Sequence, residues 1–496
     1  GDTTTVDAYL TPHIRNYLES FRSGFSDNLE KTQLLFMQSD GGLTDSENFK
    51  GSNAILSGPA GGVVGYAMTS SLTNEDTEIS NSNQQQPKTG RRLPVIGFDM
   101  GGTSSDVALM AGGQTARTHE SQVHGYPIKA PMLDIHTVGA GGGSIARIDA
   151  GGLLKVGPDS AGADPGPVCY GRGGAEPTVT DANIVLQVLN PTHLLGGRME
   201  VRRDLALAAI DRMAERLGMD TMATAQGIIS VVTANMAKAI RVISVQRGHD
   251  PRAYALMAFG GAGPLHAVRL AQELGMPRVL IPRTPGTLCA MGLLLTDLRA
   301  EFPLTRLMPL EEASLAEIGA AAAAVTAEAE GWFAAEEIAA DKRGLTRRVD
   351  MRYEGQNYEL SIDLPAGPVT SETLAALRQG FTEAHRRMYG FAVEQERIFC
   401  VTFRAEAVGL VQKAELPRAA LGPEAADRAI IGARRVWYSE TSCFTETTLY
   451  ARDRLRPGMR FDGPAIVEQM DTTTLIPPGV SAHVDEIDNL ILELGQ

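Results

Sequence analysis

The stretch 96-IGFDMGGTSSDVALM-110 decides how the rest of the chain is read. An apolar run ends in Asp99, passes two glycines and three hydroxyl residues, and resumes after Asp106. That pattern predicts two strands joined by a small-residue turn, with a carboxylate on either side of the tip. A plain turn needs neither acid, and Gly-Gly-Thr-Ser-Ser is poor core material. Phosphate groups would account for every part of it. Glycine lets backbone N–H groups come close to an anion, hydroxyls add donors, and carboxylates hold the Mg²⁺ that offsets phosphate charge. Asp99 and Asp106 are therefore candidate catalytic residues, for Mg²⁺ contact or for orienting an attacking oxygen. Gly101, Gly102, Thr103 and Ser104 are candidate phosphate-binding residues. The alternative is a glycine-rich hairpin capped by turn-forming aspartates.

A second element points the same way. In 254-YALMAFGGAGPLHA-267 a strand runs into glycines that open a helix, where free amides and a positive helix end can meet an anion. Gly260, Gly261 and Gly263 are the candidates there, against the alternative of a tight strand–helix connection. Rival phosphate motifs fail. No GxxxxGK[ST] occurs, and 139-GAGGGSI-145 places Ser144 where a dinucleotide fingerprint needs its last glycine, with strand-like IARID following.

Length and composition bound the rest. A chain of 496 residues with 43% hydrophobic and 21% charged residues predicts two to four globular domains. A net charge of -14 without a dense Lys/Arg stripe argues against nucleic acid or an anionic membrane as main partner. No apolar stretch is expected to span a bilayer, and 1-GDTTTVDAYL-10 has no signal-like character. The four cysteines, Cys169, Cys289, Cys400 and Cys443, form no CxxC, which excludes a zinc ribbon and favours a reducing cytoplasm.

Along the chain, residues 1–22 read as a helix and 33–39 as a buried strand. The run 57-SGPAGGVVGYAM-68 reads as a glycine loop leading into a helix, and 70–92 as a solvated polar insertion. Helices follow at 202–217 and 221–245. Near residue 300 the character changes to an Ala/Glu-rich helix over 311–338 and then alternating strands. The expected division is an α/β part over 1–300 and a strand-rich α+β part over 301–496.

Several side chains invite a site. Asp134, His136 and Cys169, with His119 and His124 nearby, are candidates for a transition-metal site. The alternatives are a loop histidine bonded to a carbonyl and a small buried thiol. Arg172, among glycines, suits a carboxylate, a phosphate or a structural ion pair. Asp181 reads as a helix N-cap, and His266 either borders a nucleotide or is packed in its helix.

Taken together, MQSDGGL (37–43), LSGPAGGVVG (56–65), GFDMGGTSSDVAL (97–109), PMLDIHTVGAGGGSIARID (131–149), VGPDSAGADPGPVCYGRGG (156–174), EPTVTDANIVL (176–186), RGHDPRAYALMAFGGAGPLHA (247–267), RYEGQNYEL (352–360) and GPAIVEQMDTTTLIPPG (463–479) resemble the hydantoinase A / 5-oxoprolinase family. The resemblance implies an actin/Hsp70/sugar-kinase-like fold with ribonuclease-H-type ATPase lobes and a C-terminal mixed α/β domain. It implies ATP and Mg²⁺, with Asp99–Asp106 as the second phosphate loop and Gly260, Gly261 and Gly263 on the nucleoside side. The family's first phosphate loop and N-terminal domain are not found, so a truncated chain or a split subunit is expected, completed by that lobe and by a hydantoinase B-type subunit. The implied activity is ATP-dependent hydrolysis of a cyclic amide through phosphoryl transfer. The alternatives are the equivalent subunit of an ATP-dependent ketone carboxylase and a non-catalytic assembly scaffold.

Overall fold

The apolar run ahead of Asp99 becomes an inner strand of the main sheet. The computed structural model describes residues 1–25, 32–72, 94–111, 114–118, 121–123, 125–393, 395–422 and 425–495. The expected insertion, apart from its first three residues, falls outside them, as do His119 and His124. Helices α1 (Asp2–Ser23) and α2 (Ser57–Leu72) precede the predicted hairpin, β1 (Val95–Met100) and β2 (Ser105–Ala111). Then come β3 (Ile135–Val138), α3 (Thr221–Ile243), β4 (Ala255–Phe259), α4 (Gly263–Leu274), β5 (Arg278–Ile281) and α5 (Leu288–Leu295). Near the C-terminus are β6 (Arg460–Asp462), β7 (Val480–Val484) and β8 (Leu490–Leu494).

Among the described residues the main sheet has nine strands: eight in the order β3-β2-β1-β4-β5-β8-β7-β6, with Gln114–Thr115 paired to β2. β4 lies parallel to both β1 and β5. Both faces of this sheet are covered, so its inner strands read as continuous apolar runs rather than alternating ones. Ile96, Phe98, Met100, Leu256 and Ala258 enter one core, together with Ile228, Val232 and Met236 of α3. Val95, Ala255, Met257 and Phe259 enter the other, with Tyr66 of α2. Each large side chain buried this way contributes roughly 1.5–3 kcal/mol.

One expectation is qualified here and another changes. The α3 segment is long and apolar enough, by length and composition, to cross a membrane. Its apolar faces are instead packed inside the protein, through eleven buried residues. The glycine run at 57–65 is helix, not loop. Glycine costs a helix about 1 kcal/mol per residue, so packing must repay it. A Cβ at Gly61 would come within 2.6 Å of the Cys289 carbonyl, and one at Gly65 within 2.7 Å of the Leu288 carbonyl. A Cβ at Gly292 would overlap the Gly61 carbonyl. The glycines of α2 and α5 thus let two helices touch backbone to backbone.

A second sheet runs Leu35–Met37, Leu43–Asp45, Leu298–Pro309, Ile398–Gly409, Arg343–Tyr353, Leu360–Asp363. Helices Leu315–Ala335 and Ser371–Tyr389 supply Ile318, Val325, Phe333, Leu377 and Phe381 to the same core. Both sheets draw strands from either side of residue 300, since Leu298–Pro309 spans it and β6–β8 return to the main sheet. Gly292→Ala is expected to lower unfolding free energy by ~1–3 kcal/mol in chemical denaturation. An unchanged midpoint would show that α2 and α5 have room to separate.

Candidate active site

Strand register fixes the first feature. In the β1–β2 ladder Asp99 stands directly opposite Asp106, and Met100 opposite Ser105. Residues so paired have Cβ atoms roughly 4.5–5.5 Å apart. Two acids that lie seven positions apart in sequence therefore face each other. The turn closes with Gly101 N–H donating to the Ser104 carbonyl at 3.1 Å. Gly102 and Thr103 are exposed at its tip. A Cβ at Gly101 or Gly102 would meet nothing within 4 Å, and neither has a positive φ. Neither packing nor conformation demands glycine there, so the bare backbone serves the open side of the turn.

The second glycine element meets the first. Phe259 of β4 pairs with Asp99, and Ala262 N–H donates to the Met100 carbonyl at 2.9 Å. Gly260 has a φ of +79°, and a Cβ there would overlap Asp99 Oδ1 and the Met100 carbonyl. Here glycine is required on both counts. Gly261 and Gly263 continue the turn into α4. Both elements sit at the carboxyl ends of parallel strands, where ligands collect in open α/β sheets.

Sequence reasoning missed what holds the hairpin from beneath. The run 139-GAGGGS-144, set aside as a failed fingerprint, packs against the turn. Gly142 N–H donates to the Gly101 carbonyl at 3.0 Å and Gly143 N–H to the Gly102 carbonyl at 2.6 Å. A Cβ at Gly141 would lie 2.6 Å from Thr103 N. Ser105 Oγ donates to the Ala140 carbonyl at 2.6 Å, and Thr180 Oγ1 to the Gly142 carbonyl at 2.8 Å. The unbroken glycine string was the available signal. Asp106 also accepts from Thr137 Oγ1 at 2.5 Å, and Asp99 Oδ2 from the Cys289 thiol at 3.3 Å.

Electrostatics sets the pair apart from ordinary surface acids. Burial pushes the Asp99 carboxyl up to about 6; the Cys289 hydrogen bond pulls it down and the Asp106 charge raises it further. Burial also raises Asp106, against the Thr137 hydroxyl. A carboxyl that is costly to ionise beside a second acid suits a bound divalent cation, which would offset both charges. Asp99, Asp106 and the exposed tip residues Gly102 and Thr103 fit Mg²⁺ with a phosphate chain.

The proposed transition-metal set is not assembled. Among the described residues no group of three or more His, Cys, Asp or Glu could hold a metal. Asp134 is instead gripped by both terminal nitrogens of Arg247. His136 lies on β3 opposite Val107. Cys169 is fully buried, and burial raises its thiol far above the usual range. Its neighbour Asp181 is not an N-cap: Thr178 caps the helix, and Asp181, three positions on, closes the capping box. That carboxylate also accepts from Val168 N at 3.1 Å and Cys169 N at 2.7 Å, tying a loop down. His266 is buried in α4, where desolvation, with the Arg269 charge, pushes it down to about 3. It is a packed neutral residue. Arg172 is exposed.

The C-terminal part closes on the same place. Thr472 Oγ1 donates to the Gly261 carbonyl at 3.0 Å, and Gly286 N–H to Asp471 Oδ2 at 2.9 Å. Beyond that contact opens a cleft of about 1400 Å³ lined by Thr284, Thr287, Met291 and Asp471 among others. The hairpin is not part of its wall.

The profile of the Hydantoinase/oxoprolinase family matches residues 1–81 and 84–302, and that of the Hydantoinase/oxoprolinase C-terminal domain matches 310–494. The chain belongs to the hydantoinase/oxoprolinase family. Caprolactamase subunit alpha of Pseudomonas jessenii is 35% identical over 489 residues, 97% of this chain and 68% of that protein. A crystal structure of the ATP-dependent caprolactamase from that organism has a TM-score of 0.80 at 34% identity, covering 100% of this chain and 70% of that one. 5-oxoprolinase 1 of Arabidopsis thaliana is 34% identical over 519 residues, 100% of this chain but 38% of that protein. A nucleotide-free acetone carboxylase structure has a TM-score of 0.81 at 26% identity, covering 97% and 67%. The fold is thus the α/β ATPase fold of this hydantoinase/oxoprolinase family.

The ionisation of Asp99 has a sign that can be measured. Its folded value of about 6 exceeds the ordinary 3.8, so its stabilising contribution is complete below pH 3.8 and lost as pH rises through about 6. In metal-free protein, Asp99→Asn should therefore gain stability over wild type between pH 4 and 7.5, by on the order of 1–3 kcal/mol. Denaturant titrations at the two pH values check this. A difference that does not change with pH would contradict the assigned burial.

Proposed function

We propose that this chain is the ATP-using subunit of a cyclic amide hydrolase, working with a hydantoinase B-type partner subunit. One observation carries the reading: Asp99 and Asp106 face each other beside a turn whose glycines answer no internal need. A ring amide resists water because its carbonyl is a poor electrophile. Transfer of the γ-phosphoryl group from ATP to the amide oxygen, with ADP leaving, makes the ring carbon electrophilic. Water adds there, the C–N bond breaks with the nitrogen leaving as an amine, and a second water frees phosphate from the acyl phosphate. The exposed turn amides, Thr103 and Ser104 would hold phosphate oxygens, Asp99 and Asp106 would hold Mg²⁺, and Gly260, Gly261 and Gly263 would border the nucleoside. The relatives named above support ATP use, and the word subunit in one of their names supports assembly with a second chain. Likeness to acetone carboxylase favours a second reading, in which the same phosphoryl transfer activates a ketone and bicarbonate.

Substrate-stimulated ATP hydrolysis by the assembled enzyme separates the two. Hydantoins, lactams and oxoproline should stimulate turnover, and ketones with bicarbonate should not. Asp99→Asn and Asp106→Asn should each lower kcat by ~100-fold or more. Stimulation by ketones alone would favour the carboxylase, and stimulation by neither would leave an assembly scaffold.

A further inference from the structure

The backbone contact between α2 and α5 exceeds what two helices need for ordinary packing, and its position suggests a purpose. α5 begins at Leu288, and its second residue is Cys289. A Cβ at Gly62 would lie 3.0 Å from Cys289 Sγ and 2.8 Å from the Phe259 ring. Glycine at 62 therefore leaves the sulfur its place between α2 and the end of β4. From there Sγ reaches Asp99 Oδ2 at 3.3 Å, within range for a sulfur donor. Among the described residues, no other side chain is hydrogen-bonded to Asp99. On its other side Asp99 Oδ1 is packed so closely against Gly260 that a Cβ there would overlap it.

We propose that Cys289 is a positioning residue for Asp99, its S–H group fixing the carboxylate between the helix start and Gly260. This rests on the reading of Asp99 as a carboxylate of the phosphoryl-transfer site. The thiol is suited to the task. It is the donor of the hydrogen bond to the carboxylate, and the bare backbone at Gly62 leaves it room to reach there. The glycine row 57-SGPAGGVVG-65, which forms helix and not a loop, acquires a function as the seat of the helix that carries Cys289. A donor that holds an acid in one orientation lowers the cost of organising the transition state without touching substrate.

The test uses steady-state kinetics of the assembled enzyme. Cys289→Ala should lower kcat about tenfold, equivalent to ~1.4 kcal/mol, with KM for ATP and for the amide within about twofold of wild type. Cys289→Ser, which restores a donor but not the sulfur's volume, should recover kcat to within about threefold. A pure packing role would move Ala and Ser together, because both remove the sulfur. Equal kcat for the two variants, or wild-type kcat in Cys289→Ala, overturns the proposal. Asp99→Asn, measured in parallel, separates the failures. If it is inactive while Cys289→Ala is unimpaired, only the positioning role falls. If it turns over normally, the site reading falls and Cys289 has nothing to position.

Discussion

Two carboxylates held opposite each other across antiparallel strands repel, and the surrounding structure is arranged to keep them there. Asp99 bears the larger burden, since burial alone raises it and Asp106 adds to that. Folding accepts such a cost where function uses it. The neighbouring backbone shows how the geometry is enforced. Gly260 leaves no room for a side chain beside Asp99, Thr137 holds Asp106, and Gly142 and Gly143 bond the turn from below. Few of these contacts are local in sequence. They join segments near residues 100, 140, 260 and 289.

The same constraint explains why the C-terminal part is not an appendage. Strands β6–β8 extend the main sheet beyond β5, and Asp471 and Thr472 bond to Gly286 and Gly261. The segment that fixes Gly260, through the Pro285 carbonyl at 2.9 Å, is thereby tied to the C-terminal part. A change in that part would reach the glycine turn through these hydrogen bonds and through the pairing of β5 with β8.

How much of this was legible in the sequence follows from how local each signal is. The β1–β2 hairpin, the strand–turn–helix at 255–274 and the helices at 203–217 and 221–243 carry their own periodicity, and they formed where expected. The facing of Asp99 and Asp106 follows from the hairpin register, once the turn length is known. The glycines at 57–65 misled because glycine marks a loop unless a partner helix is known, and that partner lies more than 220 residues away. Cys289 gave no signal for the same reason. Asp134, His136 and Cys169 gave a false one: spacing cannot show that Arg247 grips the first and that the third is sealed in a core.

The central claim is that the turn between Asp99 and Asp106 holds the phosphates of ATP. A crystal structure of the assembled enzyme with Mg²⁺ and a non-hydrolysable ATP analogue tests it most directly. The account predicts phosphate oxygens at hydrogen-bond distance, about 2.7–3.2 Å, from the amides of residues 102–104, with the cation beside Asp99 and Asp106. Nucleotide bound elsewhere, with this turn facing no ligand, would contradict it.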